Sequence, residues 1–162
     1  MIILAIDPGP ERSAWCRFDS HQQLVAAHGY DANDAMLELF IDWQFEIEFD
    51  RLAIEWVESY GMAVGKDVFQ TVRWIGRFEQ AWYRTPVELV PRKAVKITLC
   101  NSMKAKDGNI RQALIDRFPA TGGGKIPQIG LKASPGPLYG VSSHVWSALA
   151  VAVTAAERLK GE

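Results

Sequence analysis

The chain has 162 residues, of which 48% are hydrophobic and 23% are charged. This length and apolar content predict one domain, residues 1–162. Such a domain buries a full core without stabilisation by disulfides or a metal. Cys16 and Cys100 lack the paired spacing of a disulfide framework, which favours reduced thiols in a cytoplasmic protein. The sequence has no apolar run long enough for a membrane span, and its apolar start is too short for a signal peptide.

The formal net charge of −1 conceals two regions of opposite sign. Residues 1–83 carry six basic and fourteen acidic side chains, whereas residues 84–132 carry ten basic and three acidic ones. A basic excess over such a length favours a surface that binds a polyanion, although many charged stretches are only solvated helix faces. The acidic region favours a centre that binds cations.

The first predicted strand ends in an aspartate. Residues 2–6 form a continuous apolar run rich in β-branched side chains, which predicts a strand buried on both faces. The strand stops at Asp7, because Pro8 and Gly9 turn the chain. A carboxylate at the end of a buried strand suits a metal ligand, and Asp followed by Pro equally suits a type I turn.

The next predicted elements are an antiparallel meander and a helix. Apolar clusters between polar breaks predict two strands within residues 13–29. Apolar residues then recur at helical spacing, which predicts a helix over residues 32–47 with Asp31 or Asn33 as its cap.

A second acid follows the next apolar strand. Residues 51–55 repeat the pattern of the first strand and end at Glu55. Two strands with an acid at the same end can lie side by side and bring those acids together. The following loop contains Glu58, Tyr60 and Met62; the last two are hard to assign to a core and could stack on bases or wedge between them.

The basic region is predicted to be helical with one short strand. We expect a helix over residues 65–83, a strand over residues 87–90 and a helix from Pro91 to Leu99. The first of these helices is expected to bury one face, which Trp74 and Phe78 widen; its other residues are Val68, Val72, Ile75 and Trp82.

Asp107 lies between a polar loop and the next predicted helix. The loop covers residues 101–106 and the helix covers residues 108–118. Asp107 is expected to cap that helix, and a catalytic role is the alternative.

The last third of the chain contains a loop and a helix. The Gly and Pro content of residues 119–140 predicts a mobile loop without packed structure. A final helix is expected from Ser142 or Ser143 to about residue 159, with His144 in its first turn and Ser147 one turn later. A histidine at a helix start is either a surface residue or a ligand, and the pattern leaves both open.

Four segments together resemble the RuvC Holliday-junction resolvases. They are Ile-Leu-Ala-Ile-Asp-Pro-Gly at residues 3–9, Leu-Ala-Ile-Glu at 52–55, Lys-Ala-Lys-Asp at 104–107 and Ala-Leu-Ala-Val-Ala at 148–152. Their order and spacing fit nearly the whole chain. Residues 59–62 and 135–141 resemble the RuvC-like proteins of phages and prophages more closely.

The resemblance implies an α/β chain with the RNase H-like fold, in which helices flank a central mixed sheet of five strands. It also implies a metal-dependent endonuclease that hydrolyses phosphodiesters at Holliday junctions or other branched DNA, acting as a homodimer. Two divalent ions per active site, Mg²⁺ with Mn²⁺ as an alternative, would activate water and stabilise the leaving oxygen.

The implied metal ligands are Asp7, Glu55 and His144. The family usually carries a second ligand one turn after the histidine position, commonly Asp, and here that residue is Ser147. Glu58 or Asp107 would compensate as a catalytic carboxylate, or the second ion is held weakly, or the activity is lost. The residues expected to bind DNA are Tyr60, Met62, Arg92, Lys93, Lys104, Lys106 and Arg111.

Two other functions remain open at this point. One is a nuclease of the YqgF type that processes ribosomal RNA precursors and shares the first-strand motif. The other is a non-catalytic module that binds junctions, which the serine at position 147 favours.

Overall fold

A mixed five-stranded sheet forms the centre of the fold. The computed structural model describes residues 1–46 and 48–161. The strands of the sheet are β1 (Ile2–Asp7), β2 (Arg12–Asp19), β3 (Leu24–Ala32), β4 (Arg51–Trp56) and β5 (Val87–Pro91). Their order is β3-β2-β1-β4-β5, with β2 antiparallel to β1 and β3, and β4 parallel to β1 and β5.

Helices cover both faces of this sheet, as the expected fold class requires. They are α1 (Asn33–Glu46), α2 (Lys66–Ala81), α3 (Arg92–Cys100), α4 (Asp107–Ile115) and α5 (Val145–Lys160). The core on one face joins the sheet to α3, α4 and α5, and the core on the other face joins it to α1 and α2. Over the described ranges, no helix combines the length and apolarity needed to cross a membrane.

The first strand contributes to both cores. Ile3 and Ala5 pack into the core with α5, whereas Leu4 and Ile6 pack into the core with α1 and α2. All four side chains are fully buried, because successive side chains of a strand point to opposite faces and both faces are covered here. The prediction of a strand buried on both faces is therefore confirmed.

The buried side of α2 agrees with the prediction except at one position. Its buried residues are Thr71, Ile75 and Phe78, while Val72 is 37% exposed. Trp82 is buried as expected, but it lies just beyond the end of the helix. Ile75 and Phe78 are buried as expected, and Thr71 rather than Val72 takes the preceding core position. In the predicted helix before it, Ile47 lies outside the described residues.

The starts of α3, α4 and α5 differ from the expected ones by one to three residues. Pro91 ends β5 and is the N-cap of α3 rather than its first residue. Asp107 is the first residue of α4, and Lys106 is the N-cap, with its backbone N–H donating to Asn109 Oδ1 at 2.9 Å. His144 is likewise the N-cap of α5 rather than a first-turn residue. The expectation that Asp107 caps its helix is therefore wrong, because its carboxylate bonds elsewhere.

The Gly- and Pro-rich segment, residues 119–140, contains ordered contacts. Two short antiparallel strands pair within it, β6 (Gly130–Leu131) and β7 (Ser134–Pro135). Leu138 is fully buried in the core beside α5, which the composition of the segment did not predict. Gly130 has φ +77°, and a Cβ there would lie 2.2 Å from the backbone nitrogen of Gly136. The mobility of the segment stays a prediction.

Candidate active site at the carboxyl edge of the sheet

Asp7 and Glu55 lie next to each other at the ends of two parallel strands. Strands β1 and β4 are in register with Ile6 opposite Ile54, so the residues that follow them are neighbours. Strand alternation places both acids on the face of Ala5, which is the face covered by α5. The sequence predicted that these two acids lie close together, and the parallel register of β1 and β4 places them side by side.

The two carboxyl groups share a hydrogen bond in a partly dehydrated position. Their side chains are only 17% and 15% exposed. Burial is the main cause that raises the pKa of Asp7 to about 6. Burial and then the charge of Asp7 raise the pKa of Glu55 to about 7. The pair therefore retains a proton up to near-neutral pH, which reduces the repulsion between the two carboxylates. A cation bound between them would reduce the same repulsion.

Arg92 brings positive charge into this acidic centre. Its Nη1 lies 3.5 Å from Oε1 of Glu55, and its Nη2 donates to Oδ1 of Asp107. The guanidinium lowers the pKa values of both Asp7 and Glu55, against the larger effect of burial. Arg92 was expected on the DNA-binding surface; the structure places it between two of the expected catalytic carboxylates.

His144 approaches Asp7 from the start of α5. Its Nδ1 lies 3.4 Å from Oδ2 of Asp7. The preceding residue, Ser143, has φ +48°, a left-handed conformation that turns the chain into the helix. The imidazole ring stacks on Tyr30, with ring centroids 5.3 Å apart and planes inclined by 21°. The sequence analysis missed Tyr30, because its place beside His144 depends on the pairing of β2 with β3.

Buried polar side chains hold the turn that follows Asp7. Ser13 and Asn33 are both fully buried, and the Ser13 hydroxyl donates to Asn33 Oδ1 at 2.6 Å. The Asn33 amide donates to the carbonyl of Gly9 at 2.9 Å, and the Gly9 N–H donates to the Ser13 hydroxyl at 3.2 Å. Asn33 therefore anchors the turn from the start of α1. Asp31, the other residue expected to cap this helix, instead accepts a hydrogen bond from the Trp15 indole at 2.7 Å.

Replacing Asn33 with Ala is expected to lower the free energy of unfolding by about 1–3 kcal/mol. The change leaves the carbonyl of Gly9 and the buried hydroxyl of Ser13 without their partner. Urea denaturation would measure the loss, with Gln80→Ala as the loss of a side-chain amide at an exposed position of α2. Equal stabilities of the two variants would contradict a structural role for the buried asparagine.

Ser147 and Asp107 face one cavity beside His144. The cavity has a volume of about 610 Å³, and Arg92 and Arg111 also line it. Ser147 offers a hydroxyl where the resemblance expected a carboxylate, and Asp107 is 91% exposed at the same cavity. Of the two acids expected to compensate, Asp107 is therefore the one that shares a cavity with both His144 and Ser147.

Glu58 lies on the other side of the acidic centre. It lines a smaller cavity of about 250 Å³ with Asp7, Glu55 and Tyr60. Its carboxylate accepts hydrogen bonds from Lys93 Nζ at 2.9 Å and from the Tyr60 hydroxyl at 3.0 Å. The bond from Lys93 is the main cause that lowers the pKa of Glu58. Glu58 is therefore tied to two of the residues expected to bind DNA.

The remaining expected DNA-binding residues all lie at exposed positions. Tyr60 and Met62 are 67% and 78% exposed in the loop between β4 and α2. Lys104 and Lys106 are exposed before α4, and the guanidinium of Arg111 lies 4.9 Å from the centre of the Trp146 ring.

The acidic centre offers ligands that a divalent cation prefers, and the two ions expected there stay a prediction. Asp7 and Glu55 supply two adjacent carboxylates, and His144 adds an imidazole on the far side of Asp7. Within residues 1–46 and 48–161, however, no three His, Cys, Asp or Glu side chains are grouped closely enough to hold a metal ion. Beside His144, Ser147 offers a hydroxyl and Asp107 offers an exposed carboxylate that is paired with Arg92.

The architecture is the RuvC or RNase H-like fold. The chain is similar to the RuvC of Thermus thermophilus in complex with a Holliday junction substrate, with a TM-score of 0.70 and 16% identity. The match covers 99% of this chain and 95% of that one. A second RuvC structure from the same organism gives a TM-score of 0.68 and 17% identity, covering 99% of this chain and 96% of that one. No family model and no curated protein matches the sequence. At such identities the likeness establishes the fold alone.

Proposed function

We propose that this protein is a metal-dependent, structure-selective endonuclease that cleaves four-way DNA junctions. The observation that supports it best is the partly buried Asp7–Glu55 pair on adjacent parallel strands, with His144 beside it. A shared fold with a protein that was solved on a Holliday junction agrees with this substrate.

Each residue of the acidic centre has a separate task in this proposal. Asp7 and Glu55 hold Mg²⁺ or Mn²⁺ through carboxylate oxygens, which hard cations prefer. A bound divalent cation supplies an activated water and neutralises charge on the phosphodiester. His144 presents Nδ1 to Asp7, so that Nε2 is left to accept a proton from the attacking water. Asp107 rather than Glu58 adds negative charge beside Ser147, because it borders the same cavity.

The surroundings of the acidic centre suit a branched polyanion. Arg111 lines the cavity of His144, and Lys104 and Lys106 lie on exposed positions in the loop before α4. These cations would contact the DNA backbone. Tyr60 and Met62 project from the loop on the other side, where they would stack on bases at the crossover.

We further propose that two copies act together, one on each of two opposed strands. The exposed side of α2 supports this arrangement, since Phe69 is 65% exposed and Val72 is 37% exposed there. Apolar side chains at these positions are available to pack against a second copy.

The test is cleavage of an end-labelled four-way junction in Mg²⁺, Mn²⁺ or EDTA, with a linear duplex of the same sequence as the control. We expect paired nicks near the crossover in either metal, and intact DNA in EDTA. Tight binding of the junction without cleavage in any metal would instead establish a non-catalytic binding module, which Ser147 favours. Equal cleavage of the linear duplex would contradict the selectivity for branched DNA.

Replacing Ser147 with Asp is expected to lower the Mg²⁺ concentration for half-maximal cleavage about tenfold, because an added carboxylate strengthens an oxygen-ligand site. Titration of cleavage rate against Mg²⁺ measures the change. Ser147→Asn is the matched control, since it has the shape of Asp without the charge. An unchanged Mg²⁺ requirement in Ser147→Asp would show that this position does not limit ion binding.

A further inference from the structure

We propose that Tyr30 is a positioning residue that fixes the orientation of His144 toward Asp7. The expected effect on cleavage kinetics rests on the proposed function. The placement of the His144 ring can be measured without a cleavage assay. Among the aromatic ring contacts within residues 1–46 and 48–161, Tyr30 is the ring that stacks on this imidazole.

Tyr30 lies in the same row of the sheet as Asp7. On β2, Ala14 pairs with Tyr30 of β3 on one side and with Asp7 of β1 on the other. Residues paired directly across strands project to the same face, so the side chains of Tyr30 and Asp7 emerge on the face covered by α5. His144, at the start of α5, lies above this row and contacts both ends of it.

Asp7 alone does not define the orientation of the imidazole. The Nδ1 to Oδ2 distance of 3.4 Å is longer than a well-formed hydrogen bond. The His144 side chain is 61% exposed, so the surrounding core does not immobilise it. The stacked ring of Tyr30 removes this freedom, because a nearly parallel aromatic contact restricts rotation of the imidazole about its χ2 bond.

Tyr30 is itself held by Arg12. The Arg12 guanidinium lies 4.8 Å from the centre of the Tyr30 ring, and its Nη2 donates to the backbone carbonyl of Tyr30. The same arginine therefore contacts the ring and the strand that carries it. Arg12, Tyr30, His144 and Asp7 together border one cavity of about 430 Å³.

The first measurement is the NMR spectrum of His144 in the free protein, without DNA or metal, at pH ~8.5, where an ordinary histidine is neutral. Loss of the stacked ring in Tyr30→Leu is expected to shift the His144 ring protons downfield, because they leave the shielding region of the tyrosine. Tyr30→Phe retains the ring and is expected to leave them unchanged. Tyr83→Leu, at a tyrosine that is 68% exposed beyond α2, is the matched control. Unchanged His144 shifts in Tyr30→Leu would overturn the proposal.

The second measurement is the kinetics of junction cleavage by the same variants. Tyr30→Leu is expected to lower kcat about tenfold with the KM for the junction unchanged, and Tyr30→Phe is expected to restore kcat. A higher KM with unchanged kcat would instead mean that Tyr30 contacts DNA, and it would overturn the positioning role. If the wild type cuts no junction, the proposed function fails, and the NMR result still decides whether Tyr30 orients His144.

Discussion

Asp7→Asn is expected to reduce junction cleavage at least about a thousandfold, with the affinity for the junction unchanged within about twofold. The substitution removes a carboxylate that Glu55 and His144 both contact, so it removes charge from the centre of the site. The exposed basic residues around α4 lie outside this centre and retain their charges. Single-turnover cleavage and a gel-shift titration measure the two quantities separately.

The matched control for this prediction is Asp34→Asn. Asp34 is 84% exposed on α1, where its carboxylate lies 3.8 Å from Arg77, so the same chemical change is made away from the acidic centre. We expect its cleavage rate to equal that of the wild type. If Asp7→Asn loses junction binding along with cleavage, the separation between an acidic centre for chemistry and a basic surface for binding is wrong.

The free energy of unfolding without divalent cations is expected to fall by about 3 kcal/mol between pH 5 and pH 8. Burial raises the pKa of Asp7 from 3.8 to about 6 and that of Glu55 from 4.5 to about 7. A raised pKa means that the folded chain binds protons that the unfolded chain has released. The stabilisation is therefore complete below pH 4 and is lost as the pH rises through 6 and 7.

Mg²⁺ is expected to reverse this loss, because a divalent cation replaces the shared proton between the two carboxylates. Urea denaturation at pH 5 and pH 8, with and without Mg²⁺, tests the coupling without an activity assay. The ion should stabilise the wild type more at pH 8 than at pH 5, and it should stabilise Asp7→Asn little at either pH. Equal stabilisation of both proteins at both pH values would place the ion elsewhere.

The apolar pattern of the sequence determined the sheet and its two acids. Each central strand has a short apolar run, because both faces of the sheet are covered, and such a run is visible without knowledge of its partners. Asp7 and Glu55 end two such runs. Because the two strands are parallel neighbours, the two carboxylates lie close together. The order of helices and strands was predictable for the same reason, since periodicity is a local property of the chain.

Only the tertiary structure decided what surrounds those acids. Tyr30 reaches His144 across 114 positions of sequence through the register of β2 and β3, and Asn33 reaches Gly9 across 24 positions. The sequence predicts that Arg92 binds DNA and that Asp107 is a helix cap or a catalytic acid. The packing of α3 against α4 joins the two side chains beside Glu55. These contacts depend on how whole helices and strands pack against each other. The residue pattern of a single helix or strand does not show which distant residue will contact it.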